Sequence, residues 1–354
     1  MRLNKSPLRV AIVGCGLIAQ SRHIPCLLQM RNVDIVAVCD GNEELAKTVA
    51  QRFHVGRYYA DFADMLDKEE LTMIDICTPP RTHATMSIRA MKAGCHVLVE
   101  KPMALNTKEA DEMVQASKEG KVELCVVHNK LFEPVMMKAK AMVNEGGIGE
   151  LMGIDIEDLL PKNIDMMVNK EHWCHKLPGG MLGETLPHPI YLAVGFLGNL
   201  EPVAVHTRKL SSYDWIVADE IRIILEGKKG MGAITFSCSS PKDKVIINIF
   251  GTRKHLRIDL WNSVITEYGV GDESLTSRGL ENLRQGFSII ASTLFTTLSV
   301  ISGQFHWGHY NLIQRFIGSI ENNTEPPVTG EEGRGVVRVL EKVITQIGSK
   351  PEKD

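Results

Sequence analysis

Leu8-Arg9-Val10-Ala11-Ile12-Val13-Gly14-Cys15-Gly16-Leu17-Ile18-Ala19 is the stretch that decides the fold. An apolar run of strand length, rich in Val and Ile, breaks at Gly-x-Gly and continues as a helix. That is the pattern of a dinucleotide-binding turn. Gly14 lets the chain leave the strand tightly. Gly16 has no Cβ, so the backbone can approach a pyrophosphate. Ala19, in place of a third glycine, keeps the helix close to the strand. The helix offers its free N–H groups and positive end to the phosphates, with Leu17 and Ile18 in its first turn. Glycine pairs occur in many turns, so the reading needs its context. A second apolar strand, Val33 to Cys39, ends in Asp40, near the ~20-residue spacing of the acidic residue that holds the adenosine ribose. A carboxylate there repels a 2′-phosphate, which favours NAD over NADP. The structural alternative for Asp40 is a helix cap before Glu43, a role for which Asn42 competes.

The chain of 354 residues is long enough for about two domains and a large core. It is 44% hydrophobic and 23% charged with a formal net charge of −3, and no basic patch points to nucleic acid. The eight cysteines include no C-x-x-C pair. Cys39, Cys77 and Cys125 lie in apolar strand-like runs, as reduced thiols of a cytoplasmic protein do. Met1 to Arg9 contains no apolar core of signal-peptide length. The late apolar stretch Phe287 to Ile301 is shorter than the ~20 residues of a membrane span and is interrupted by Ser and Thr. It is expected to be a buried or interface helix.

Strand and helix alternate from Leu8 to Val127. Helices are expected at Glu43 to Phe53, Phe62 to Leu66, Thr82 to Ala93 and Lys108 to Lys118. Strands are expected at Arg57 to Tyr59, Met73 to Cys77, Cys95 to Val99 and Val122 to Val127. This pattern demands a parallel sheet covered on both faces. After about residue 130 strands dominate: Leu151 to Leu159, Val203 to Lys209, Glu220 to Leu225, Met231 to Cys238, Lys244 to Phe250 and His255 to Leu260. The expected fold is therefore an α/β Rossmann domain over residues 1–130. Residues 131–354 should form an α+β domain with a large, mainly antiparallel open sheet, one face of which is available to another subunit. Its final helices are expected near Tyr310 to Glu321 and Gly333 to Ile347.

Four candidate segments fall at the carboxyl ends of the parallel strands, where open sheets bind ligands. They are Gly14-Cys15-Gly16, Asp40, Thr78-Pro79-Pro80-Arg81-Thr82-His83 and Glu100-Lys101-Pro102. A lysine in an ordinary loop is solvated. Lys101 instead follows a buried strand and precedes a proline that stiffens its backbone, so it can donate to a substrate hydroxyl.

These segments resemble the Gfo/Idh/MocA family of NAD(P)-dependent oxidoreductases over nearly the whole chain. The resemblance rests on Gly14-x-Gly16-x-x-Ala19, Thr78-Pro79 with His83, and Gly94-x-His96-Val97-Leu98-Val99-Glu100-Lys101-Pro102. It continues in Gly179 to His188 and closes with Pro327 to Arg334. It implies oxidation or reduction of a hydroxyl-bearing carbon on a sugar, inositol or derivative, by a homodimer or homotetramer joined through the C-terminal sheet. It implies that Lys101 contacts nicotinamide ribose and substrate, and that His188 exchanges a proton with the reacting hydroxyl. Glu184 stands where the family usually has an aspartate. Thr78, Pro79, His83, Glu100 and Asn129 join the cofactor residues. His128, Trp173 and His175 join Glu184, His188 and Lys101 as substrate residues.

The chemistry agrees. Hydride leaves carbon only as the hydroxyl loses its proton, and a near-neutral imidazole accepts it. Glu184 and His188 are four apart, one face of a helix, although Pro187 and Pro189 point to a helix starting near Pro189. Glu184, Pro187, Pro80 and Leu131 depart from the family pattern and point to an unusual substrate pocket. His172, Cys174, His175, Glu184 and His188 have no metal-ligand spacing, so pocket lining is preferred and no metal is expected. Trp173 and His175 either contact substrate or pack. His306, Trp307 and His309 are structural or at an interface, with His309 a candidate pocket neighbour. Besides the NAD-dependent oxidoreductase, two readings stay open: a non-catalytic NAD-binding subunit, and a redox-assisted lyase, epimerase or glycosidase that recycles NAD.

Overall fold

The computed structural model describes residues 6–269 and 274–348. The chain divides into two compact units, 1–129 with 309–337, and 130–308 with 338–354. The sequence-based division at residue 130 put 309–337 with the second domain. The first unit takes them in: Thr329 bridges Cys125, and Leu312, Ile313, Phe316 and Val336 are buried.

The first unit begins with β1 (Leu8–Val13), followed by helical turns over 17–28 that are π-helical at Ala19–His23 and close as α1 (Ile24–Leu28). β2 (Val33–Cys39), α2 (Glu43–Phe53), β3 (Arg57–Tyr59), α3 (Phe62–Lys68) and β4 (Met73–Ile76) follow. Next come α4 (His83–Lys92), β5 (His96–Val99), α5 (Thr107–Gly120) and β6 (Leu124–Val126). All six strands are parallel, in the order β3-β2-β1-β4-β5-β6. The order reverses at β1, so the crevice beyond β1 and β4 is the switch point. Val10 to Val13, Ile74, Ile76 and Val97 to Val99 are buried, as a doubly covered sheet requires. Asn42, Asp61 and Asn106 cap α2, α3 and α5 with their side chains. Asn42, not Asp40, is therefore the cap of α2.

In the second unit α6 (Pro134–Asn144) leads to β7 (Leu151–Pro161), then α7 (Asp165–Val168), α8 (Met181–Thr185) and α9 (Pro187–Leu197). The strands β8 (Leu200–Arg208), β9 (Glu220–Gly227), β10 (Gly230–Ser240), β11 (Lys244–Gly251), β12 (Lys254–Asp259) and β13 (Val264–Gly269) complete a seven-stranded sheet. Its order is β13-β12-β11-β7-β10-β9-β8, and only the β7–β10 pair is parallel. Ile154, Ile156, Ile223, Ile234, Ile247 and Leu256 bury one face, over which α9 lies. Asp155, Glu157, Arg222, Asn248 and Arg257 keep the other face polar and accessible. β13 was absent from the sequence-based assignment; its single hydrophobic run, Val264-Ile265, is too short to announce a strand.

The expected helix over Phe287 to Ile301 forms as part of α10 (Leu275–Ile301), but none of its residues is buried. Its burial is thus corrected: the helix lies on the surface of its unit against β13. The last helices are α11 (Gly308–Asn322) and α12 (Gly330–Gly348). The link between them bridges β6 through Cys125 and Thr329. A Cβ on Gly333 would stand 2.5 Å from Val126 Cγ2, which explains the glycine in the Pro327 to Arg334 segment.

Gly14 has φ +92°, and a Cβ there would lie 2.7 Å from the Cys77 carbonyl carbon and the Thr78 nitrogen. Gly16 would meet nothing within 4 Å. Gly14→Ala is therefore expected to lower unfolding free energy by about 1–3 kcal/mol or more. Gly16→Ala should leave it within about 0.5 kcal/mol. Urea unfolding of both variants checks the contrast.

Candidate functional site

The strand ends of the first unit are stitched together by backbone bonds. Gly14 N–H donates to Cys39 O at 2.8 Å, Cys77 N–H to Val13 O at 2.7 Å, and Glu100 N–H to Ile76 O at 3.0 Å. The Gly14, Thr78 and Glu100 segments therefore share one edge of the sheet. Asp40 ties the turn to β2: one carboxylate oxygen accepts Cys15 N–H at 2.8 Å and the other Asn42 N–H at 2.9 Å. Its oxygens keep further lone pairs for ribose hydroxyls. Burial, with the charge of Asp40 adding to it, pushes the Cys15 thiol up to about 12, so it packs as a hydrophobe. Gly16 and Leu17 are exposed at the mouth of the turn, Ile18 is half-buried, and Ala19 is buried against the sheet.

Pro79 is exposed and Thr78 half-buried, with the Thr78 hydroxyl accepting from Thr82 at 2.7 Å. His83 is fully buried, its ring nitrogens 2.8 Å from Pro102 O and 2.7 Å from Thr78 O. It joins the Thr78 loop to the Lys101-Pro102 loop, and burial lowers its pKa. His83 thus fixes the two loops, while its own ring nitrogens face backbone carbonyls. Pro80 is buried at the start of a 3-10 turn, Pro80–Thr82.

Beneath Glu100-Lys101-Pro102 lies a buried charge network that sequence reading missed. His23 Nδ1 is 2.8 Å from one Asp75 oxygen, and His23 Nε2 is 3.0 Å from Glu100 Oε1. The other Glu100 oxygen accepts the Lys101 backbone N–H at 3.0 Å. His23 and Asp75 are fully buried and Glu100 nearly so. An imidazole bonded at both nitrogens to carboxylates is an imidazolium. Burial alone would lower the pKa of His23, but the charge and hydrogen bond of Asp75 raise it well above 6.5. Burial would likewise raise Glu100, but its hydrogen bond with His23 and the charge of that ring bring it to about 2. His309 Nε2 stands 3.9 Å from Glu100 Oε1, and its ring meets His23 edge-on at 5.7 Å. Burial lowers His309 to about 4, so it is neutral at physiological pH and this contact is not an ion pair. His128 is also buried, and desolvation lowers it to about 3. Asn129, beside it, opens a 3-10 turn and is half-buried. The one signal in the sequence was Asp75, a charge in the middle of an otherwise apolar strand.

In the second unit Glu184 and His188 are the half-exposed residues of a stretch, Met181 to Ala193, that is otherwise buried. α9 starts at Pro187, where a missing N–H costs nothing. Leu186 is helical and donates to Leu182 O at 3.0 Å, so helical turns run through from α8 to α9. The spacing of four therefore does place Glu184 and His188 on one face. His188 Nδ1 lies 2.9 Å from the hydroxyl oxygen of Tyr191, which accepts the Lys130 N–H at 3.2 Å. With Nδ1–H donating to that oxygen, Nε2 carries the lone pair of a base. Tyr191, one helical turn beyond His188, is a partner of the imidazole that sequence reading overlooked. Lys130 also reaches the buried Asp158 at 3.3 Å.

Trp173 and His175 belong to a 3-10 turn, Trp173–Lys176, that packs on α8. Trp173 is 39% exposed, so it is available for stacking. His175 Nε2 bonds Asn169 O at 3.1 Å. His172 accepts Cys174 N–H at 3.3 Å as the cap of the turn. Among the described residues the side chains that converge as metal ligands would are His23 with Asp75 and Cys77, or with Glu100 and His309, not the His172 to His188 set. The contacts of His23 with Asp75 and Glu100 are of ordinary hydrogen-bond length. Leu131, at 7% exposure, is core packing beneath α9: a Cβ on Gly195 would be 2.8 Å from its Cδ2.

Residues 8–128 match the family model described as the oxidoreductase family, NAD-binding Rossmann fold, GFO_IDH_MocA. Residues 136–257 match the GFO/IDH/MocA C-terminal domain. A curated relative, Oxidoreductase P35 of Formosa agariphila, is 27% identical over 269 residues, 74% of this chain and 82% of that protein. D-glucoside 3-dehydrogenase of Escherichia coli is 33% identical over 150 residues, 42% of each chain. The WlbA dehydrogenase of Bordetella pertussis, solved with NADH and UDP-GlcNAcA, superposes with a TM-score of 0.79 over 98% of this chain and 97% of its own, at 21% identity.

The His23 network sets a pH dependence. Glu100's contribution to stability is complete above about 4.5 and is lost as pH falls toward 2. His23's is complete below 6.5 and fades as pH rises toward its elevated folded value. His23→Gln leaves at least one buried carboxylate without its donor and should cost about 3–5 kcal/mol. Between wild type and variant, the difference should be greatest from about pH 4.5 to 6.5. Urea unfolding across pH tests this; a difference independent of pH would refute it.

Proposed function

We propose a specific activity for this chain, which belongs to the GFO/IDH/MocA oxidoreductase family: NAD-dependent transfer of hydride to or from a hydroxyl-bearing carbon of a sugar or cyclic polyol derivative. The observation that carries the reading is within the first unit. The glycine turn, Asp40 and Lys101 stand along one edge of a parallel sheet, at its switch point. The residues fit the dinucleotide: Gly16 leaves its approach open, and Gly14 fills the one place where a side chain cannot go. NAD supplies, when bound, the acceptor for hydride.

In this reading the N–H groups at the start of the helical turns over 17–28 hold the pyrophosphate. Asp40 accepts from the adenosine ribose hydroxyls and repels a 2′-phosphate. Lys101, its backbone fixed by Glu100, donates to the substrate oxygen and stabilises alkoxide character on it. His188 Nε2 takes the hydroxyl proton while Nδ1–H remains bonded to Tyr191. Glu184, on the same helical face, binds a second substrate hydroxyl or steadies the imidazole. Trp173 offers a stacking face to a sugar ring. The family relatives that act on a glucoside support the substrate class, as does the polar character of these groups.

Two experiments test the reading. Absorbance of NADH at a panel of sugars, polyols and nucleotide sugars should reveal turnover. Lys101→Ala and His188→Ala should each lower it by about 10²–10⁴-fold, with NADH affinity in His188→Ala unchanged by fluorescence titration. Full turnover in both variants would remove the assignment. For Asp40→Ala, the ratio of NAD to NADP affinity should fall at least about tenfold, equivalent to 1.4 kcal/mol. An unchanged ratio would return Asp40 to a purely structural role.

A further inference from the structure

α10 is built inside out. It lies along β13, with the Ser288 hydroxyl 3.5 Å from Ile265 O. The side it turns toward its own unit carries Ser277, Gln285, Ser288, Ser292 and Ser299, all half-buried. The side it turns to solvent carries Leu280, Leu283, Phe287, Ile290 and Leu294, exposed by 68%, 62%, 70%, 57% and 58%. A surface helix of a monomer has the opposite arrangement. Eleven of the twenty-four large exposed apolar side chains of the described residues are on this one helix. Together they leave on the order of 1,000 Å² of apolar surface, more than the few hundred Å² that monomers tolerate and comparable with the ~800 Å² each partner contributes to a stable interface.

The spacing identifies what covers it. Positions 280, 283, 287, 290 and 294 follow one another by three, four, three and four, the seam of a two-helix coiled coil. Read antiparallel against itself, the seam is self-complementary: Phe287 faces Ile290 of a second copy and Leu283 faces Leu294, about a dyad at the middle of α10. An isologous contact of this kind closes on itself. A lipid surface fits less well. No Lys or Arg occurs from Gln285 to Ile301, whereas interfacial helices carry them on the polar face. No helix among the described residues is long and apolar enough to cross a membrane.

We propose that α10 is a self-association surface, pairing antiparallel with α10 of a second copy of this chain. This assembly surface is separate from the polar face of the seven-stranded sheet and does not depend on the proposed activity. The seam lies outside every residue assigned to cofactor or substrate.

The test is sedimentation equilibrium of the full chain at micromolar concentration. Wild type should sediment as a dimer or a multiple of it. The double variant Leu283→Asp, Ile290→Asp should halve that mass, with far-ultraviolet circular dichroism and NADH affinity unchanged because neither side chain packs inside its own unit. The double variant Phe287→Cys, Ile290→Cys guards against misfolding of the Asp variant, because in the antiparallel register each new thiol faces one of the second copy. All eight native cysteines are buried, so mild oxidation should give a covalent dimer through the new thiols alone. A monomeric wild type overturns the proposal, whether or not it floats with phosphatidylcholine vesicles. So does a wild-type mass retained by the folded Asp variant, or the absence of a covalent dimer from the Phe287→Cys, Ile290→Cys variant.

Discussion

One buried imidazole holds the first unit's chemistry in place. His23 comes from the helical turns after the glycine loop, Asp75 from the middle of β4, and Glu100 from the end of β5. No two are neighbours in sequence, yet His23 bonds both carboxylates within the buried interior. Such a contact gains little net stability from its charges, because desolvation offsets most of the attraction. Its geometric consequence is larger. Glu100 is fixed by His23, and its second oxygen fixes the backbone at Lys101. The lysine that follows the strand is therefore set by a residue from the other side of the glycine turn.

The second unit solves a similar problem with packing. The stretch from Met181 to Ala193 is buried almost throughout, and the polar residues it carries at half-exposed positions are Glu184 and His188. Pro187 opens α9 without losing a backbone hydrogen bond. Tyr191, one turn further on, orients the imidazole from within the core. A helix held by apolar packing restricts the position of the ring more than a loop does.

Much of this was legible in the residues themselves. Alternating strand and helix signals gave a parallel sheet, because buried parallel strands must be continuously apolar. Gly14 and Gly16 were distinguishable from ordinary turn glycines by their place after a Val-rich strand. The return of 309–337 to the first unit was not legible, because its helices are amphipathic and fit either unit. The orientation of α10 was equally hidden: its periodicity shows an apolar stripe and a Ser-rich stripe, but not which one turns outward. His309 was read as structural or at an interface, with a place beside the pocket also open, and only the tertiary structure sets it 3.9 Å from Glu100.

The sequence by itself determined the elements of the first sheet, their parallel character and the turn that admits a dinucleotide, since these rest on local backbone geometry and hydrophobic period. Tertiary structure alone decided which charges meet. It put an imidazolium between two distant carboxylates, gave Asp40 two backbone donors in place of the helix cap, and turned His83 into a tie between loops. The reason is physical: hydrogen bonds between side chains depend on ångström-scale distances between strands far apart in the chain, and no spacing along one strand encodes them.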